Sequence, residues 1–503
     1  MYIKSLPLKL RSTEEFALEI LNDSKYEKFP QYVNKNQIQK AFNEFGSKLN
    51  PYNSAIYSSS LESPNIEGHF LSTNIPEIES VIINKAITEK NINEIIDKSE
   101  DITHIGLSVY AHRLDNAIKI IKIIKKDYPE KELFIGGTGA MYSRLNSLIH
   151  KKNICTGNGI VWLRKKFGLP QLRKEEYKIS TIIMNTRILP VNIKTAYMVT
   201  QVGCPYNCDF CITAKLLHYC PFSNSQNIIK SLVNLLEMDR RDKFLYLCEP
   251  NACFPEREWY KVFDFFTNYK GTYDNYLYII CLISLNHLGK FNLKLIQENC
   301  RVKFLLANFG IESTLKGGYE KNRGVSKNFV QNLSNLGIIT NHNFILGLPH
   351  HTHENIELEI KRNLEYNSNM YFVSTLKPLP PTYIYELLKR EGRLFGDDLP
   401  AELVYEDGFF PFKHQALGGG FSALHYAFKA YHEVEKKIID VYSNMAETLS
   451  KSPIANNSRY LRKIIRALLT LSNQNFKLFE PRMPETFSII YRSRLEILTK
   501  NLQ

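Results

Sequence analysis

The sequence predicts an α/β protein: two successive runs of strand–helix units, then a helical tail. Three observations carry this reading. Short apolar runs alternate with amphipathic stretches from Asn53 to about residue 170, and again from Tyr197 to about residue 395. Glycine-containing loops follow the strands of the first run, and polar residues follow those of the second. Strands alternating with helices build parallel sheets, whose ligands lie beyond the strand carboxyl ends.

At ~100–200 residues per domain, the 503 residues make two to four. A composition of 44% hydrophobic and 23% charged residues is that of a globular protein rather than a disordered one. No apolar run approaches the ~18 residues of a spanning helix. The start, Met1-Tyr2-Ile3-Lys4-Ser5-Leu6-Pro7, lacks the apolar core of a signal peptide. Nine cysteines, an odd number, argue for a reducing cytoplasm rather than a disulfide framework. Of the net charge of +13, +7 lies from Lys451 onward, where ten Lys/Arg face three Glu. The rest of the chain is only mildly basic, which argues against a nucleic-acid partner.

Residues 1–50 read as a helical extension, with helices from Thr13 and from Asn36 to Leu49. Residues 51–170 form the first α/β domain. Ala55-Ile56-Tyr57 and Ile102–Tyr110 read as strands. Asp115–Lys126 is a helix carrying Ala117, Ile118, Ile120, Ile121, Ile123 and Ile124. Leu133-Phe134-Ile135 is a strand running into Gly136-Gly137-Thr138, and Asn153-Ile154-Cys155 leads into Thr156-Gly157-Asn158-Gly159 and a helix. His104 and His112 lack a second ligand at helical or strand spacing and read as structural.

Residues 171–395 form the second domain, of which 171–194 read as a polar linker. Its strands are Tyr197–Thr200, Phe244–Cys248, Leu277–Ile283, Val302–Phe309, Asn343–Leu346 and Tyr371–Leu376. Helices between them include Gln226–Glu237, Arg257–Phe266 and Asn328–Leu336. Such units build a closed or open parallel barrel, with chemistry at the strand carboxyl ends. After the first strand comes Cys204-Pro205-Tyr206-Asn207-Cys208-Asp209-Phe210-Cys211. Thiolates are soft ligands, and such runs hold iron–sulfur clusters. Three thiolates leave one iron of a four-iron cubane without a protein ligand, as a catalytic metal site requires. The alternative is structural zinc, completed by His218 or Cys220.

This octet resembles the cluster loop of the radical S-adenosylmethionine (SAM) superfamily, in its spacing and in the aromatic before the third cysteine. The resemblance implies a partial (β/α)6 barrel. It also implies a 4Fe-4S cluster on Cys204, Cys208 and Cys211, the metal ligands and catalytic residues, with Phe210 near the adenine. The open iron would chelate SAM, and one electron would cleave it to a 5′-deoxyadenosyl radical. Glu249 and Asn251 stand where relatives have Gly-Gly-Glu or Asp-Asn, and would receive the SAM amino group. Ser284 or Asn286 would bond the ribose or carboxylate. Gly310-Ile311-Glu312-Ser313 is close to the family's Gly-x-Glu-Ser, with Glu312 accepting from ribose hydroxyls. Ile345-Leu346-Gly347-Leu348-Pro349 matches the string that cradles adenine, and Leu379-Pro380-Pro381-Thr382 resembles Pro-x-Pro-Gly-Thr.

The first domain resembles the Rossmann-like cobalamin-binding domain fused in front of many such enzymes. The resemblance places Ser108, Gly136, Gly137, Thr138 and Gly157 against the corrin ring or its nucleotide tail. The Asp-x-His-x-x-Gly motif is absent, and Ile160 replaces the second Glu of Gly-Glu-Gly-Glu. A degenerate domain without cobalamin is the alternative.

Residues 396–503 read as a helical C-terminal domain with a long helix from about Leu424 to Leu449. Tyr383, Tyr385, Tyr405 and His414 are candidates for substrate contact. Arg459, Arg462, Lys463 and Arg466 share one helix face beside Leu461, Ile464, Ile465, Leu468 and Leu471. Such a helix packs with a solvated basic side, or lies on a membrane surface through 459–471.

The expected function is that of a cytoplasmic radical SAM enzyme. The domain pair implies a cobalamin-dependent methyltransferase acting on an unactivated carbon of a metabolite, peptide or lipid. An electron donor such as flavodoxin or ferredoxin would serve it. The first alternative is a cobalamin-independent radical SAM enzyme performing a rearrangement, cyclisation or oxidation. A tRNA methylthiotransferase is disfavoured because residues 1–154 contain no cysteine and the tail reads helical. The intact cysteine triplet argues against a non-enzymatic binding protein. Substrate identity and oligomeric state are not legible.

Overall fold

The computed structural model describes residues 64–479 apart from 85–86, 100, 189–190, 316–318, 323, 397–398, 400, 405–407, 439–440 and 456–457, with isolated positions outside that range. The expected strand at 55–57 and most of the 1–50 extension fall outside the described residues; positions 36 and 38–40 are helical.

The first unit contains α1 (Ile66–Asn74), α2 (Ile92–Asp97), β1 (His104–Ser108), α3 (Leu114–Asp127), β2 (Glu132–Gly136) and α4 (Gly159–Lys166). Strands β1 and β2 pair in parallel from His104–Glu132 to Ser108–Gly136, and Ile154 adds one parallel bridge to Ile135. Among the described residues the sheet is thus two strands and a bridge, smaller than the Rossmann-like sheet expected. Its core is aliphatic. The helical period of α3 buries Leu114, Ala117, Ile120, Ile121 and Ile124 against Ile105, Leu107, Leu133 and Ile135.

The second unit is a seven-stranded sheet in sequence order. Its first strand, β3 (Ser180–Ile188), runs antiparallel to β4 (Val191–Val199), with Ser180 opposite Val199 and Ile188 opposite Val191. The expected linker over 171–194 is therefore a hairpin. As an edge strand, β3 is paired on one side only and keeps Thr181 and Asn185 exposed, so its pattern reads as polar. From β4 onward the strands are parallel: β5 (Lys243–Leu247), β6 (Leu277–Leu282), β7 (Val302–Glu312), β8 (Ile339–Leu346) and β9 (Met370–Thr375). The helices that follow them are α5 (Ser225–Glu237), α6 (Glu256–Asn268), α7 (Leu293–Asn299), α8 (Lys327–Asn335), α9 (Ile356–Leu364) and α10 (Tyr383–Arg390). The six expected strand–helix units are all present. Alternate strand residues, among them Met198, Leu247, Ile279, Ala307 and Phe309, pack with Trp259, Phe263 and Leu333 from these helices.

The tail holds β10 (Phe410–His414), β11 (Gly418–Gly420), α11 (Ser422–Lys437), α12 (Val441–Ser450) and α13 (Arg459–Phe479). The single helix expected over 424–449 is two, because Ile438 leaves helical geometry (φ −112°, ψ 93°). Tyr442, Leu449, Leu461, Ile464 and Leu468 pack on Ile193, Phe244, Tyr278, Leu305 and Ile339 near the strand starts. Helices α12 and α13 therefore close the amino-terminal end of the sheet. The apolar face of α13 is consumed there, which leaves only its basic side, with Arg462, Lys463 and Arg466 exposed, for any membrane contact. Among the described residues no helix is long and apolar enough to cross a membrane.

Candidate active site

Strand β4 ends at Val199 and delivers Thr200, Gln201 and the cysteine loop. Val202 and Cys220 exchange backbone hydrogen bonds of 3.0 and 2.8 Å, which close the loop between them. Cys204, Cys208 and Cys211 are half-buried, free thiols, with the Cys211 amide donating to Cys208 O at 3.1 Å. Burial pushes the Cys208 thiol up to about 12, while the Lys321 charge pulls the other way. Three thiols on one short loop are a donor set that fits a cluster, since bound metal deprotonates its thiols.

Segment 319–322, which the sequence reading missed, clasps this loop. The Tyr319 hydroxyl donates to Asp209 at 3.2 Å, and its ring meets Phe210 edge-on at 5.0 Å. Lys321 bonds Glu312 at 2.5 Å. Asn322 donates to Gly310 O and accepts from the Leu285 amide at 2.7 Å. No periodicity marks the segment in the sequence.

Three fully buried side chains at the ends of β4 and β5 each leave a polar atom without a partner: Gln201 Oε1, Glu249 Oε2 and Asn251 Nδ2. Their other atoms are committed. Glu249 Oε1 accepts from the Thr200 amide (2.5 Å) and hydroxyl (2.8 Å). Gln201 Nε2 donates to Asn251 O at 2.5 Å, and Asn251 Oδ1 accepts from the Ser284 amide at 2.8 Å. Burial raises Glu249 to about 7 against those bonds. Two acceptors and a donor, buried and unpaired, carry a desolvation cost that a ligand bearing an ammonium group would relieve. Glu249 and Asn251 were expected here; Gln201 joins them. Its signal was its place at a strand end, three residues before Cys204. Ser284 lies 3.3 Å from the Tyr206 hydroxyl, so it faces the cysteine loop.

At the end of β7, Glu312 adopts a left-handed conformation (φ 64°). Its carboxylate folds back over Gly310, where an added Cβ would sit 2.0 Å from Glu312 Oε1. The glycine is what allows the acid to lie there. Ser313 is committed elsewhere: it donates to Glu359 at 2.8 Å and meets His350 Nε2 at 2.9 Å. Glu359 also accepts from the Thr314 and Leu315 amides at 2.6 and 3.2 Å.

At the end of β8, Gly347 has φ 80°, and its missing Cβ is filled by the Phe410 ring, 2.3 Å from where that atom would lie. Gly347 therefore admits Phe410 rather than a ligand on that side. Leu348 is buried, and its carbonyl accepts from His414 Nε2 at 3.0 Å, which makes His414 structural. Tyr383 is exposed, and Tyr405 lies outside the described residues. His350, His351 and Glu359 bring ligand atoms within 4.8 Å of one another. His351 Nδ1 accepts from the Gly347 amide at 3.0 Å, so the ring proton sits on Nε2, facing Glu359 at 3.7 Å. Through its bonds to Ser313, Thr314 and Leu315 and its approach to His351, Glu359 links the loops after β7 and β8.

On the first unit, Gly136, Gly137 and Gly157 line the carboxyl ends of the short sheet. Little lies near the missing Cβ of Gly136 (Cys155 at 3.9 Å) or Gly157 (Leu216 O at 3.7 Å), so neither glycine is required by packing. Gly137 is required by the fold itself, since a Cβ would meet Val109 O at 2.6 Å. Thr138 Oγ1 accepts from the Ala111 amide at 3.1 Å, and Ser108 is half-buried. A cavity of about 300 Å³ opens between this unit and the sheet, lined by Tyr142 and Arg144 on one side and Tyr385 and Lys389 on the other.

No family model matches the chain, and no curated protein matches it. Solved structures do. The cobalamin-dependent S-adenosylmethionine radical enzyme OxsB covers 86% of this chain and 80% of its own, at 11% identity and a TM-score of 0.51. The fold is shared with OxsB. The radical SAM methyltransferase TsrM of Kitasatospora setae, solved with a tryptophan substrate and a SAM analogue, is similar over 88% of this chain and 97% of its own, at 13% identity and a TM-score of 0.48. At 11% identity the OxsB likeness speaks to the fold alone.

Proposed function

We propose that this protein is a radical SAM enzyme and, more finely, a cobalamin-dependent methyltransferase. The observation that carries the reading is the cysteine triplet placed beside the unpaired Gln201, Glu249 and Asn251 at the carboxyl end of a six-unit sheet. Cys204, Cys208 and Cys211 would hold the cluster, which when bound would pass the electron for reductive cleavage of SAM. Glu249 and Gln201 accept from the SAM ammonium, and Asn251 donates to its carboxylate. Glu312, fixed by Lys321, accepts from the ribose hydroxyls. Phe210 lies towards the adenine, buttressed by Tyr319. Gly136 and Gly157 would lie against cobalamin, which when bound supplies a methyl carrier. The acceptor is a carbon of a metabolite, peptide or lipid, and flavodoxin or ferredoxin is the electron donor.

The test is anaerobic reconstitution with iron, sulfide and hydroxocobalamin, followed by reduction in the presence of SAM. Bound corrinoid, 5′-deoxyadenosine and S-adenosylhomocysteine are expected. Cleavage without corrinoid would move the assignment to a cobalamin-independent radical enzyme. Failure to hold iron, or iron held equally after alanine replaces all three cysteines, would defeat the proposal.

A further inference from the structure

Beneath the mouth of the sheet lies a cavity of about 450 Å³ lined by β7, β8 and β9. Its floor is three amides. Asn308 and Asn341 are cross-strand partners, and Asn343 is two residues further along β8. Residues two apart on a strand share a face, so all three present to the cavity. The Asn343 amide donates to Asn308 Oδ1. Asn341 Oδ1 is buried and without a partner. Phe372, beside Asn343 on β9, forms a wall, and Ser374 adds a hydroxyl above it. The one formal charge in the lining is Glu312, which Lys321 already pairs.

We propose that this amide floor is a substrate subsite for a neutral, planar group with an adjacent donor and acceptor: a carboxamide, lactam or nucleobase edge. The proposal rests on the reading that SAM occupies the mouth above. An unpaired buried amide oxygen costs free energy until a donor meets it, and a donor from the ligand recovers that cost. A carboxylate or phosphate would meet the unpaired Asn341 oxygen and the Glu312 carboxylate, whose cation Lys321 is already engaged. A planar ring would lie against Phe372, which favours amide-bearing heterocycles over polyols.

Ligand-observed NMR on the reconstituted full-length protein with SAM tests this, using nicotinamide and uracil against nicotinate and orotate. The amides are expected to bind about tenfold more tightly than the acids, roughly one buried hydrogen bond. Asn341→Leu and the smaller, β-branched Asn341→Val both remove the acceptor and should each abolish that preference, so a folding defect in one leaves the other to decide. Equal binding of acid and amide, no binding of any probe, or an unchanged preference in both variants would overturn the subsite. So would a parallel loss of SAM affinity, which would assign the asparagines to adenine. The underlying reading is scored separately by 5′-deoxyadenosine formation in the wild type. Amide selectivity without SAM cleavage would sink that reading alone.

Discussion

Glu249 is a carboxylate held at the edge of ionisation. Burial raises it to about 7, so a proton competes with the ligand cation near neutrality. SAM affinity should therefore rise as pH increases through about 7, and Glu249→Gln should flatten that dependence and weaken binding about tenfold or more. Equilibrium dialysis between pH 6 and 8 measures it, and a flat wild-type profile would refute the role. The stability consequence has the opposite sign. A raised carboxyl pKa contributes stability that is present below the ordinary value of 4.5 and lost as pH rises through about 7, so the ligand-free protein should melt lower at pH 8 than at pH 6 if this group dominates. Gly310 is the second informative residue. Gly310→Ala drives a methyl group into the Glu312 carboxylate. The carboxylate can swing aside, so the substitution should cost less than about 1 kcal/mol in stability by denaturant titration but reduce SAM cleavage by displacing the acid. At this scale legibility followed locality. The three thiols lie within a few residues of one another, as do Gly310 and Glu312, so each pattern could be read. Gln201 had only its place at a strand end to mark it, since its partner Asn251 comes from the next strand end, and nothing local marked Lys321.

Among the elements, the parallel strands were legible because each is a buried apolar run of β-forming residues between helices of clear period. The hairpin strand β3 was not, because an edge strand needs only one apolar face and so resembles a linker. The division of the expected 424–449 helix was hidden too, since both halves share one pattern across the break at Ile438. Helix α13 shows the limit of reading amphipathicity: the same stripe suits a membrane or a core, and only the strand starts it covers decide. Leu461 and Ile464 are buried there. Leu461→Ala should cost about 2–5 kcal/mol in thermal or denaturant unfolding. Removing Arg462 and Lys463 charges should change stability by less than about 0.5 kcal/mol. A nearby buried chain, from the Tyr278 hydroxyl to Ser458 (2.9 Å) and on to Asp242 (3.0 Å), fixes the start of α13 on β5 and β6.

Among the described residues, the small α/β unit is tied both to the entry of the large sheet and to the tail. Asn74 makes a two-way clamp with the Lys178 backbone, accepting at 2.7 Å and donating at 3.2 Å, just before β3. On the far side Asp115 pairs with Arg144 at 2.6 Å and accepts from the Ala401 amide at 2.6 Å. Asn74→Ala opens the first tie without touching the cysteine loop. Limited proteolysis between α4 and β3 should then accelerate several-fold with iron content unchanged, and an unaltered cleavage rate would show that the tie bears no strain. The order of the units could be read from the sequence; their ties could not, since they join residues about a hundred or more positions apart. The plug formed by α12 and α13 has a kinetic corollary. With its base covered, the sheet is entered among the described residues from its strand carboxyl ends, so a guest admitted later would sit above one admitted earlier. The deepest guest is then trapped until the outer one leaves, and spent nucleoside should inhibit turnover by blocking the exit.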